Sequence, residues 1–107
     1  MAWSAEGLQE QRTDFYADLT GVQITNDVGA IVSDVAKAAF TNISDGTAGA
    51  VTFDINLTGA DVGVGTVVQG YKFMKGATVL GSGNFDVANT AVTTLDTFKL
   101  TFTVNNA

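Results

Sequence analysis

A chain of 107 residues with 46% hydrophobic and 15% charged residues is sized and composed for one folded domain, too short for two independent cores and away from the disordered range. A formal charge of −6 and five scattered basic residues, Arg12, Lys37, Lys72, Lys75 and Lys99, speak against nucleic acid and against a polybasic membrane anchor. Cysteine and histidine are both absent, which removes disulfides, thiolate and imidazole metal ligands, and the commonest nucleophile and general base.

Residues 1–21 predict an α-helix. Ser4 is a capping residue, Trp3 and Leu8 have the spacing of a hydrophobic staple, and Glu6 and Glu10 suit the positive end of the helix dipole. Leu8, Phe15, Tyr16 and Leu19 fall on one face, and Gly21 offers a left-handed stop. A helix of about five turns is marginal alone, so this face needs a cover, either the chain's own sheet or a neighbouring subunit. On the second alternative Trp3, Leu8, Phe15, Tyr16 and Leu19 form the candidate partner contact.

Between Val22 and Phe40 two periods compete. Val22-Gln23-Ile24-Thr25 alternates as a strand, whereas Val28, Ile31, Val32, Val35 and Ala39 fit a helical face, and the reading is a short strand followed by a helix or irregular segment. Asn42 to Gly49, rich in Ser, Asp, Thr and Gly, reads as a loop. The single domain 1–107 then divides into an N-terminal helix with its connecting segment, 1–50, and a β core, 51–107.

Two runs in that core alternate strictly. Phe53, Ile55 and Leu57 share one face of 51–58, and Phe98, Leu100, Phe102 and Val104 share one face of 98–105, so both need a covering layer. Gly59 to Gly65 reads as a flexible connection. Thr66 to Met74 is apolar on both faces and predicts a central strand, while Lys75-Gly76-Ala77 predicts a tight turn into a hairpin partner over 78–88 with a bulge at Gly81-Ser82-Gly83. Asn89 to Thr97 is the last loop. The fold class expected is mainly β, a small antiparallel β-sandwich or barrel with an N-terminal α-helix, whose core includes Phe53, Ile55, Leu57, Phe73, Phe85, Phe98, Leu100, Phe102 and Val104.

Chemical motifs are sparse. Asp54-Ile55-Asn56-Leu57-Thr58-Gly59 opens like an EF-hand loop, but the twelfth position is Gly65 where a bidentate Glu is needed, and the strand alternation accounts for it better. Ser82 lacks a nucleophile-elbow context, and the glycines at 59, 63 and 65 lack the Lys-Ser/Thr of a phosphate loop. Asn42-Ile43-Ser44 and Asn56-Leu57-Thr58 are sequons without a secretory signal. No catalytic, cofactor or metal residues are assigned, and the chain reads as a non-enzyme without a membrane segment, cytosolic when made.

Val68-Gln69-Gly70-Tyr71, then Gly76-Ala77-Thr78-Val79-Leu80-Gly81-Ser82-Gly83, then Leu95-Asp96-Thr97-Phe98-Lys99-Leu100-Thr101-Phe102-Thr103-Val104, resembles the C-terminal β segment of small tailed-phage virion proteins. These are head or tail fibre-like, decoration or minor structural proteins. The resemblance implies a structural protein of the virion, made in the host cytoplasm and present in many copies as a capsid decoration or head-stabilising protein. Its partners would be the major capsid or tail protein and further copies of itself. The alternatives are a minor tail or fibre-like protein and a carbohydrate- or receptor-binding β module.

Overall fold

The computed structural model describes residues 4–104. Two antiparallel sheets pack face to face, with one helix at an end, which makes the chain a small β-sandwich with an N-terminal α-helix. The helix α1 spans Ala5–Asp18, and Ser4 caps it as the sequence predicts, its Oγ accepting from Gly7 N at 3.0 Å. The staple expected of Trp3 lies outside the described residues. The helix ends earlier than residue 21, because Leu19 is extended and Gly21 opens the first strand instead of supplying a left-handed stop.

One sheet has the order β2-β1-β5-β6, from β1 (Gly21–Thr25), β2 (Ile31–Ala36), β5 (Val67–Lys75) and β6 (Thr78–Thr90). The other has the order β3-β4-β7, from β3 (Thr41–Asp45), β4 (Val51–Thr58) and β7 (Thr97–Val104). The two alternating runs lie side by side in this second sheet, with Phe53 opposite Phe102, Ile55 opposite Leu100 and Leu57 opposite Phe98. Such apolar cross-strand pairs set the register, since a slip of one residue would turn every one of them to solvent. Their cover is Val22 and Ile24 of β1, Val35 of β2 and Val68 of β5, all buried in the same cluster.

Three strands therefore come from residues before 46, and the β core is not confined to 51–107 as the sequence suggested. The helical alternative for 26–40 fails: Val28 and Ile31 are exposed, only Val35 and Phe40 of that stretch are buried, and the chain turns at Asn26–Ala30 between β1 and β2. Asn26 holds that turn by accepting from Val28 N and Ala30 N, a local bond that competes with helix. The polar stretch after Thr41 is strand β3, with Thr41 opposite Asp54 and Asp45 opposite Val51, because an edge strand on the solvated side of a sheet needs few apolar residues.

Aromatic rings fill the centre. Phe53 stacks on Phe40 at 4.4 Å and on Phe102 at 5.1 Å, and meets Phe73 edge-on at 6.3 Å. Of the expected core, Phe53, Ile55, Leu57, Leu100 and Phe102 are buried, while Phe73, Phe85, Phe98 and Val104 are half-buried against the cluster. The β5–β6 hairpin turns at Gly76, whose φ of 58° is the positive angle expected there. The segment 59–65 carries one helical turn, α2 (Gly59–Val62), capped reciprocally by Thr58 and Asp61. β6 is irregular at two places, near Leu80 and at 85–88, where four residues stand against Gln69 alone.

Candidate functional site

Helix α1 lies on its own sandwich. Phe15 meets Phe73 edge-on at 5.6 Å, Tyr16 tilts over Phe53 at 6.5 Å, and Arg12 Nε donates to Gly46 O at 3.0 Å. Lys37 sits 4.1 Å above the Tyr16 ring, and burial, with the nearby Asp45 charge, raises the Tyr16 hydroxyl above its ordinary value. The chain itself supplies part of a cover for the helix, and no residue of α1 is fully buried by it. Of the expected partner contacts, Leu19 is 1% exposed and belongs to the core, which takes it out of a contact surface. Leu8, Phe15 and Tyr16 are half-buried, and Trp3 lies outside the described residues.

The Asp54 loop-like motif runs along a strand instead of around an ion. Asp54 is on the outer face of β4, where Asn42 Nδ2 donates to it at 2.7 Å and Thr101 Oγ1 at 2.8 Å, with Lys99 Nζ at 3.6 Å. The Asn42 and Thr101 hydrogen bonds, aided by Lys99, hold its carboxyl below the usual range. Its oxygens are thereby committed to neighbours on β3 and β7. Among the described residues no group of three or more carboxylates is placed to hold a metal ion.

A concavity opens where the two sheets end. Among the described residues β6 pairs only with β5, and β7 only with β4, and the two edge strands line one cleft, so these edges lie on the same side. Between them lies a cleft of about 410 Å³ with Tyr71, Phe73, Phe85 and Phe102 as its aromatic lining and Asn84, Asp86, Thr101 and Thr103 among its polar groups. The rings brace each other: Tyr71 is 5.2 Å from Phe85 and 5.1 Å from Phe102, and Phe85 is 5.8 Å from Phe102. The extra residues at 85–88 bend β6 and bring Phe85 to the cleft.

A four-stranded sheet thus faces a three-stranded one, and the inner side of β6 is only partly covered. The cleft offers aromatic surface, hydroxyl and amide groups and two open strand edges, the equipment of a binding surface. Sequence reasoning placed Phe85 in the core and Tyr71 on a central strand but missed the cleft, because which strands become edges is decided by pairing across long sequence separations. The alternation around Phe85 carried the available signal. No protein-family model, curated protein or solved structure matches this chain.

Proposed function

We propose that this chain is a non-enzymatic structural protein of a tailed-phage virion, a capsid decoration or head-stabilising subunit present in many copies. The observation that carries the reading is the unfinished side of the sandwich, where β6 and β7 leave free edges around an aromatic cleft. A neighbouring copy that laid a strand along β7 would extend the three-stranded sheet and cover Tyr71, Phe73 and Phe85, linking subunits through backbone hydrogen bonds. The Gly- and Thr-rich β segment from Val68 to Val104, with its likeness to virion proteins, supports the same assignment. The partners on this reading are the major capsid or tail protein and further copies of the chain. Counting copies by quantitative mass spectrometry of purified particles tests it. Many copies per particle are expected, and particles that lack the chain would end the proposal.

The second reading, a carbohydrate-binding module, is favoured by one feature: half-buried Tyr71 and Phe85 rings stand beside Asn84, Asp86, Thr101 and Thr103 in an open cleft. Sugars use ring faces for their C–H surface and polar groups for their hydroxyls. A glycan array separates the two readings. Binding that Tyr71→Ala abolishes, together with a monomeric mass at all concentrations, would favour the sugar.

A further inference from the structure

The end of the sandwich away from α1 is made of three connections: the turn 26–30, the segment 59–66 with α2, and the loop 91–96. The strand registers place them together, since Thr25 pairs with Gly70, Val67 with Thr90 and Thr58 with Thr97, whereas the helix adjoins the Met74 and Val51 ends. The last two connections are hydrogen-bonded to each other through Gly59 N to Asp96 O at 2.8 Å and Gly65 N to Ala91 O at 2.7 Å.

Each connection is braced from within. Asn26 Oδ1 accepts from Ala30 N at 2.9 Å, Asp61 from Thr58 N at 2.7 Å, and Asp96 from Val92 N and Thr93 N at 2.7 and 2.9 Å. On these braced loops Val62 turns into the core, but four large aliphatic side chains point outward: Val28 is 82% exposed, Val64 56%, Val92 71% and Leu95 86%. A held loop has already lost the conformational freedom that binding would otherwise take from it, and grouped exposed apolar side chains mark interaction surfaces.

Charge selects the partner. Asp27, Asp61 and Asp96 stand at this end. Among the described residues Lys72 lines a small pocket with Gly29 of the turn, whereas Arg12, Lys37 and Lys75 lie at the helix end and Lys99 is paired with Asp54 on β4, so the three carboxylates stand against one base. Like charges oppose end-to-end docking of two copies and contact with anionic lipid, while an apolar seat rimmed by Lys or Arg fits both the aliphatic side chains and the field. We propose that this loop end is a docking surface for a protein partner that offers an apolar seat with a basic rim, engaged by Val64, Val92 and Leu95 with Val28 beside them. The inference goes beyond the virion reading and does not depend on it.

The test uses the full chain, isotope-labelled for NMR, and two synthetic amphipathic helical peptides, one of Leu and Lys and its mirror of Leu and Glu. The Leu/Lys peptide is expected to shift the amides of Val28, Val64, Val92 and Leu95, to weaken with added salt, and to lose about tenfold in affinity, about 1.4 kcal/mol, with Leu95→Ser or Asp27→Lys. Both variants should melt as the parent does, since neither side chain is buried. Equal binding of the two peptides, shifts confined to α1 or the cleft, no binding of the Leu/Lys peptide, or unchanged affinity in both variants would overturn the proposal. So would self-association in sedimentation, or binding to phosphatidylserine vesicles, that Leu95→Ser removes, because the occupant would then be a second copy or a membrane.

Discussion

Gly59 lies so close to Thr93 that a Cβ on it would stand 1.9 Å from the Thr93 carbonyl oxygen. The approach is backbone on backbone, at the point where Gly59 N donates to Asp96 O and Ala60 N to Thr94 O. A methyl group there must force the two loops apart, since a carbonyl cannot rotate away as a flexible side chain would.

Gly59→Ala is therefore expected to destabilise the fold by roughly 1–3 kcal/mol, with the loss concentrated in amide protection of 59–66 and 91–96. Urea unfolding and hydrogen exchange measure both. Parent-like exchange in these loops would show that the contact is not a constraint.

Phe102 is 4% exposed and touches Phe53, Tyr71, Phe73 and Phe85. Phe102→Ala should cost about 3–5 kcal/mol, because the surrounding rings belong to both sheets and cannot collapse into the space together. A urea midpoint equal to the parent's would remove Phe102 from the core.

Acid should destabilise the protein through Asp54, Asp96 and Asp45. Hydrogen bonds from Asn42 and Thr101 lower Asp54, backbone hydrogen bonds from Thr93 and Val92 lower Asp96, and hydrogen bonds from Thr47 lower Asp45. A folded-state carboxyl lowered below its unfolded value of about 3.9 contributes stability that is full above that value and is lost as pH falls through the folded one. Urea midpoints between pH 7 and pH 2 should fall steeply below about pH 4, and Asp54→Asn should shallow the slope while lowering stability at pH 7. An unchanged slope in Asp54→Asn would assign the acid sensitivity to other groups.

Removal of residues 1–18 should leave a folded sandwich with a lower melting temperature. Leu19, which the core needs, is retained, while Phe73 and Phe53 lose the rings of Phe15 and Tyr16. The β signal in circular dichroism should persist. Cutting after residue 21 instead removes Leu19 and the first residue of β1, and unfolding of that longer deletion alone would confirm that the boundary lies at Leu19.

Chelator should leave the melting temperature unchanged, since the Asp54 oxygens already accept from Asn42 and Thr101. A fall of several degrees with EDTA would reopen the Asp54 motif as an ion site.

The sequence by itself determined the elements whose pattern is local. The Ser4 cap, the Gly76 turn and the alternation within 51–58 and within 98–105 all follow from neighbours a few residues apart, and each appears where its pattern lies. Ile31–Ala36 and Thr41–Asp45 were misread for a physical reason. β-branched residues after a turn fit either period, and β3 packs so little of its surface that its polar composition resembles a loop. The binding features needed the tertiary structure. That β6 and β7 end their sheets on the same side, and that the loops bearing Val64, Val92 and Leu95 meet at one end, depends on pairings between residues far apart in the chain, such as Val51 with Val104 and Val67 with Thr90. Composition counts charges and apolar residues, but only the closed sandwich decides which of them share a surface.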